Sequence, residues 1–468
     1  MARGKKAAAT LTPEEKLQQA LVPVEDQPYE IPTNWNWVRF DRATINYDSK
    51  RIPLSIKQRS ALEKIYDYYG ASGVIDKVDN YIFDQELLLI GEDGANLLSR
   101  STPIAFLASG KYWVNNHAHI LDSSAITTRT FLCNYINSID LAPYVTGSAQ
   151  PKLTQDKMNA IPVPIPPLAE QQRIVERIES IFAKLDEAKE KARAVVDGFE
   201  LRKSAILHKA FTGELTARWR QEHTKQLGDI DLSALDKNYE IADYKYGIPD
   251  NWKWVLFNEC CTFVGSGVTP KGGREVYQND GIPFIRSQNV LKGELDLSEV
   301  AYISDEINNQ MKRTQINGGE TLFNITGASI GRSCFVPFDQ NIGNVNQHVC
   351  IIRFKNYILP QLPQLWMNSP IIQRFVVENQ IGQTRQALNF KQIRGMWFPV
   401  APIEEQQEII RALNDLLDKE QYAKDVAQAV VDQIDTMKKA VLARAFRGEL
   451  GTNDPNEESV IELLKTIL

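Results

Sequence analysis

No run of about 18 consecutive apolar residues interrupts this sequence, so a membrane-spanning helix is not expected. The N-terminus passes from Lys5 and Lys6 straight into alanine and threonine, without the apolar centre of a secretory signal. The chain is therefore expected in the cytoplasm. Cysteine is scarce: Cys133, Cys260, Cys261, Cys334 and Cys350 are odd in number and contain no CxxC pair. The five histidines do not supply metal-ligand spacing either. Reduced, buried thiols and no bound metal are the expectation.

The common catalytic signatures are missing as well. Gly110-Lys111 has neither the upstream glycine nor the following hydroxyl residue of a phosphate-binding loop. Phe263–Gly267, FVGSG, superficially matches the glycine loop that binds S-adenosylmethionine, but it runs into VTPKGG, where Pro270 would break the helix such a loop requires. GEDG, Gly91 to Gly94, offers two carboxylates that can hold a magnesium ion, yet no lysine follows in a nuclease pattern, and a tight turn is the preferred reading. No catalytic residue is assigned.

The net charge of -6 argues against a nucleic-acid partner at first sight. Counted by segment, the acidity falls in helices and linkers, and residues 31–160 and 248–400 are close to neutral. Local basic patches remain open.

The chain does contain a duplication. Gly147–Leu215 lies on Gly382–Leu450 at a constant offset of 235 residues without a gap, and from Glu170 to Leu215 20 of 46 pairs are identical. Pro164 falls on Pro399, Pro167 on Pro402, the EQQ at Glu170 on that at Glu405, and AFTGEL on AFRGEL. Each copy reads as one long helix, opened by prolines that suit a first turn and closed at Gly213 or Gly448 by a left-handed cap. About 44 helical residues span about 65 Å at 1.5 Å each.

The apolar positions are stricter than an ordinary amphipathic helix needs. Ile174, Ile178, Ile181, Leu185, Ala188, Ala192, Val195, Phe199 and Ile206 follow a 4-3 spacing interrupted at Arg202. Ile409, Leu413, Leu416, Ala423, Ala427, Val430, Ile434, Met437 and Val441 repeat it, interrupted at Glu420. A period of 3.5 specifies a coiled-coil seam, and each helix is the obvious partner of the other.

Around the helices the order is a mobile arm with one short helix capped by Thr12 (1–28), a globular segment (29–160), the first helix (161–215), a polar linker (216–246), a second globular segment (247–397), the second helix (398–450) and a tail helix (451–468). Both globular segments open alike, IPTNWNWV at Ile31 and IPDNWKWV at Ile248. The first is expected to hold a helix over Ser55–Tyr66 and strands in YIFDQELLLI and KYWVNNHAHIL. The fold class is α+β: two mixed domains joined by two long helices paired as an antiparallel coiled coil, with an internal pseudo-two-fold axis.

PIPPLAEQQRIVERI and PVAPIEEQQEIIRAL, each closing in AFTGEL or AFRGEL, resemble the conserved regions of the specificity subunit of type I restriction and modification enzymes. The paired IPxNWxWV openings, YYGASG at Tyr68 and IPFIRSQNV at Ile282 are similar to that family's target recognition domains, so the resemblance covers nearly the whole chain. It implies that residues 29–160 and 247–397 are target recognition domains, each reading one half of a split site in double-stranded DNA. It also implies two modification subunits docked against the helices, which carry adenine N6 methylation and S-adenosylmethionine. The resemblance further implies that a restriction subunit, a translocase and nuclease using ATP and Mg, joins afterwards and that the present chain binds no cofactor itself. The helix length matches about two turns of DNA. A coiled-coil scaffold that binds proteins without DNA specificity is the alternative, and a methyltransferase or nuclease in its own right is a third reading.

Base readers need donors and acceptors on loops or strand ends. In the first domain the candidates are Tyr68, Tyr69, Ser72, Asn115, Asn116, His117, Ser148, Gln150 and Lys152. In the second they are Arg286, Ser287, Asn289, Asn324, Thr326, Ser329, Arg332, Asn346, Gln347 and His348, with Gln383, Thr384 and Arg385 placed to hold phosphate. VNNH at Val114 and VNQH at Val345 read as one feature present in both halves, which can equally be a turn that supports the fold. Ile409, Ile410 and Leu417, apolar beside the seam, are candidates for docking a modification subunit.

Overall fold

In this computed structural model, which describes residues 12–147, 149–223, 244–340, 342–382 and 386–467, the chain divides into two compact units. One is Met1–Ala192 with Ala429–Leu468, the other Arg193–Gln428.

The strands of the first unit are β1 (Asn36–Arg39), β2 (Thr44–Asn46), β3 (Tyr66–Gly70), β4 (Gly73–Val78), β5 (Phe83–Asp84), β6 (Leu87–Gly91), β7 (Ala105–Ala108), β8 (Lys111–Val114), β9 (Ala118–Ser123) and β10 (Pro162–Ile165). They form a β1-β10 ribbon, an antiparallel sheet β2-β9-β6-β7, and a sheet β4-β3-β8-β5 in which β3 and β8 run parallel. Leu87–Gly91 is buried along its whole length, as a continuous apolar run in a covered central strand should be. The helix expected over Ser55–Tyr66 is only Ile56–Ser60. Ser55 and Gln58 form its capping box, but the segment has no apolar face, and Tyr66 is drawn into β3 by its pairing with Val78.

In the second unit the strands are β11 (Lys253–Leu256), β12 (Cys261–Ser266), β13 (Ile282–Ile285), β14 (Ala301–Ile303), β15 (Thr321–Asn324), β16 (Ser333–Phe335), β17 (Asn344–Val345), β18 (Val349–Phe354) and β19 (Trp397–Val400). Their sheets, β11-β19, β12-β18-β15-β16 and β14-β13-β17 with β13 parallel to β17, repeat the plan of the first unit almost strand for strand. FVGSG lies on β12. A Cβ at Gly267 would run into the Val345 carbonyl, so this glycine serves a close backbone approach.

The repeated EQQ motifs anchor each domain to its helix. Glu170 and Glu405 are fully buried. Trp35 donates its indole N–H to Glu170 at 2.8 Å, and Trp252 donates to Glu405 at 2.9 Å. Gln171 bonds the carbonyls of Ile126 and Pro166, and Gln406 those of Tyr357 and Ala401, so each glutamine sews the first helical turn to a neighbouring loop. The helix ends are equally fixed: Gly213 and Gly448 have φ of 78° and 74°. A Cβ on either would collide with the ring of Pro249 or Pro32, the prolines of the two IPxNW openings. Those openings therefore pack on a helix C-terminus as well as on a buried glutamate.

Over the residues described, the arm and the tail pack on the first unit. Thr12 and Glu15 form a capping box on helix Pro13–Ala20, as expected, and that helix packs on tail helix Ile461–Ile467. Ala20, Val460 and Leu464 enter the first unit's core. Arg173 bonds both carboxylate oxygens of Glu457, at 2.7 and 2.8 Å.

Within each unit two helical stretches run antiparallel. In the first, Lys189 pairs with Asp435 and Asp186 with Lys438. In the second, Arg202 pairs with Glu420 at 2.7 Å, so the two charged interruptions of the seams meet. The first repeat is not one helix but two, Leu168–Asp197 and Phe199–Phe211, whereas Ile403–Ala445 is continuous. Arg202 accounts for the break: its Nη2 takes the Val195 carbonyl at 2.8 Å, and its guanidinium lies where a Cβ on Gly198 would be. The second repeat has Gln433 and Met437 at these positions. Arg202→Met is expected to close the break, seen as slower amide exchange at Phe199, at a cost of about 1 kcal/mol or less for the half-exposed ion pair.

Candidate nucleic-acid interface

Four loops of the first unit are tied into one knot by their backbones. Asn115 N–H donates to Tyr69 O, Glu92 N–H to His117 O, Leu153 N–H to Glu92 O, and Gly94 N–H to Pro151 O, all between 2.7 and 3.1 Å, while Thr146 and Lys152 exchange two bonds. The second unit repeats every one of these bonds. Asn346 donates to Ile285, Ile325 to His348, Leu388 to Ile325 and Gly327 to Gln386, while Ile381 and Ala387 exchange two. Gly94 and Gly327, at φ of 110° and 79°, make the turn that both knots require.

VNNH and VNQH are the same feature. The side-chain oxygen of Asn115 accepts from His117 N–H at 2.8 Å, and that of Asn346 from His348 N–H at 3.0 Å. These turns aim the histidine rings. His117 Nδ1 lies 2.7 Å from Asp93 Oδ2, and His348 Nδ1 lies 2.5 Å from Thr326 Oγ1, at the equivalent position of the other knot. Asn115 and Asn346 are themselves buried and hold the turns.

The knot gathers Asn116, His117, Gln150 and Lys152 with Ser72, which is exposed at the tip of the β3–β4 turn; a Cβ on Gly91 would strike Ala71 O beside it. Tyr68 is not among the exposed groups. It is fully buried, donates from its hydroxyl to Leu54 O at 3.4 Å, and stacks under Arg59, because alternate residues of β3 face the core. Tyr69 packs on Phe106 and Tyr112. Lys152 pairs with Glu92 at 3.1 Å, and Arg51 also bonds Glu92. Behind them, buried His119 bonds Asp48 at 2.6 Å and Leu153 O at 2.8 Å. Burial alone would raise Asp48 and Glu92. Together, the His119 bond and charge, the Ile120 N–H and the Arg51 charge at Asp48, and the Arg51 and Lys152 bonds with the His119 charge at Glu92, outweigh it and hold both carboxyls below their ordinary range. The GEDG carboxylates are thus committed to cations and to His117.

In the second unit Gln347 is exposed, with Nε2 3.1 Å from His348 Nε2, and Thr269 bonds its oxygen. Arg332 is exposed and Ser329 half-buried. Three candidates are structural. Asn289 is buried and bonds Arg286 N–H and Asp296 O, and buried Asn324 donates to Ser287 O, Val290 O and Ser329 Oγ. With Asn346, they brace loops from within, since a buried amide must find partners. Arg286 lies over the Tyr277 ring and donates weakly to Glu299 O, and Ser287 is half-buried. Ser148, Gln383, Thr384 and Arg385 lie outside the described residues.

Of the docking candidates, Ile409 is 2% exposed and belongs to the second unit's core. The 3.5 period placed it on a seam, but the first turns of that helix are covered by the domain as well. Ile410 and Leu417 are half-buried. Asp93 is not among the base-reading candidates of the sequence, where GEDG reads as a tight turn, and it is that turn which brings it onto His117.

The sequence profile of a family described as the type I restriction modification DNA specificity domain matches residues 45–195 and 249–429. The chain is similar to the specificity subunit of the EcoBI type I restriction enzyme from Escherichia coli, 30% identical over 294 residues, which are 62% of this chain and 58% of that one. It is also 32% identical over 147 residues to the putative type I specificity subunit S.HindORF215P of Haemophilus influenzae, covering 31% of this chain and 37% of that one. The matches thus span 58% or less of these relatives. The HsdS subunit of Thermoanaerobacter tengcongensis has the same fold, with a TM-score of 0.61 at 16% identity over 91% of this chain and 100% of that one. Among the described residues no helix is long and apolar enough to cross a membrane.

Proposed function

Because the chain belongs to the family of type I restriction modification DNA specificity domains, we propose that it is the DNA-recognition subunit of such a system, reading an asymmetric two-part site with one half assigned to each unit. The observation that carries this reading is the knot built twice. One backbone frame presents Asp93, Asn116, His117 and Lys152 in one unit and Thr326, Gln347, His348 and Ala387 in the other. Such a frame suits two different half-sites, since base readout depends on which donors and acceptors are offered. In this reading the long helices fix the gap between half-sites. Two modification subunits, one of them docked over Ile410 and Leu417, carry S-adenosylmethionine and methylate adenine at N6; a restriction subunit using ATP and Mg cuts unmodified DNA. The chain itself performs no catalytic step.

The test is the genome-wide pattern of N6-methyladenine in cells that express the chain with the modification subunit of its system, against cells with that subunit alone. A new two-part motif with a fixed unspecified gap is the expected result. A complex that forms but adds no motif would overturn the reading. Binding of the complex to duplex DNA should also weaken with salt, with a log–log slope of about -0.9 for each phosphate neutralised. A flat salt response would favour a protein-binding scaffold instead.

A further inference from the structure

The two knots share backbone, asparagine turn and histidine, and they differ in the group that holds the ring. We propose that the Asp93–His117 pair is an acceptor-only edge of the first domain's reading surface, and that it selects a base bearing an exocyclic amino group: cytosine through N4 or adenine through N6. The inference rests on the DNA-reading function proposed above and names the residues that set one position of one half-site.

The chemistry follows from the inventory of each group. An ionised carboxylate only accepts, so His117 must give its Nδ1 hydrogen to Asp93. A neutral imidazole that donates through Nδ1 accepts through Nε2. Both outward-facing functions of the pair are then acceptors, and the ring stands 48% exposed with Asp93, at 17%, behind it. Guanine O6 and thymine O4 are themselves acceptors and are repelled, whereas amino groups are matched. Neighbouring charges do not compete for Asp93, because Lys152 and Arg51 are bonded to Glu92.

The second knot has no such polarity. The Thr326 hydroxyl can donate or accept, and Gln347, whose oxygen is engaged by Thr269, turns its amide nitrogen, a donor, to His348 Nε2. Its ring is held in place without being restricted to one kind of base edge. A carboxylate in one unit and a hydroxyl in the other are therefore a difference in specificity, carried on frames that are otherwise alike.

The experiment compares methylation motifs in cells expressing the full chain, wild type or variant, with its modification subunit. One position of one wild-type half-site should be restricted to adenine or cytosine on the strand that is read. Asp93→Thr, which copies the second knot, and His117→Ala should each raise methylation at sites carrying guanine or thymine there by about tenfold or more relative to wild type. The other half-site should stay as it was. Asp93→Asn keeps an oxygen for Nδ1 while adding a donor, so it decides the matter if Asp93→Thr proves unable to fold; it too should admit the keto bases. An unchanged motif in variants that still methylate would overturn the proposal. A wild-type complex with no two-part motif would instead overturn the DNA-reading function beneath it.

Discussion

Glu405→Ala is expected to lower the stability of the second unit by about 3–5 kcal/mol, the range for stripping one partner from a buried ion pair. Glu405 is fully buried and collects four side chains. Thr216 and Arg220 reach Oε1, each at 2.8 Å, and Asn251 and Trp252 reach Oε2 at 3.1 and 2.9 Å. Arg220 is only 19% exposed, so without the carboxylate it keeps little more than the Gly213 carbonyl and the face of Trp252 to offset its lost hydration. The first unit provides a control. Glu170 is equally buried, but the donors it receives are neutral, from Trp35, Asn453 and Thr452. Glu170→Ala leaves unpaired dipoles and no unpaired charge bonded to it, so the smaller loss, about 1–3 kcal/mol, is expected there. Hydrogen exchange in denaturant, resolved by segment, reads both effects: protection should fall first in 193–428 for the one variant and in the first unit for the other. Replacing Arg220 by methionine in the Glu405→Gln background should recover part of the loss. Equal effects of Glu405→Ala and Glu170→Ala would show that the arginine charge does not matter.

This difference between two copies of one motif marks where the sequence could be read and where it could not. The repeat was legible because it is linear: EQQ, the proline landmarks and AFxGEL stand at one offset, and the caps at Gly213 and Gly448 follow from residue type alone. YIFDQELLLI and KYWVNNHAHIL are legible as strand-forming runs, but each holds two strands, Phe83–Asp84 and Leu87–Gly91 in the first and Lys111–Val114 and Ala118–Ser123 in the second. What stayed hidden depends on partners far apart in the chain. Arg202 and Glu420 each looked like a flaw in a seam, and only their meeting explains the break at Gly198. Tyr68 and Asn324 looked like readers because their chemistry suits bases, yet the pleat of β3 and the end of β15 turn them inward. His117, His348 and Thr326 stand among the sequence candidates and Asp93 does not, and the turns that bring Asp93 and Thr326 onto the rings have a register no local pattern predicts.

Ile409→Glu should unfold the second unit rather than merely detach a partner. Ile409 sits in the same core as Leu207, Phe211 and Leu413. Removing such a side chain costs about 2–5 kcal/mol by itself, and the carboxylate adds the penalty of a buried polar group with no partner. Against a domain stability of about 5–15 kcal/mol that loss is decisive, and loss of protection across 193–428 with a soluble yield close to zero is the expected result. Leu417→Glu is the contrasting case. Leu417 is half-buried and outside that core, so a charge there should move stability by about 1 kcal/mol while disrupting an apolar contact with a modification subunit. Co-purification separates the two mechanisms: Leu417→Glu chain should be recovered folded and without its partner. Recovery of folded, partner-bound Leu417→Glu would move the docking surface elsewhere on the helices, and a folded Ile409→Glu would mean that the core around Leu413 tolerates a charge its burial should forbid.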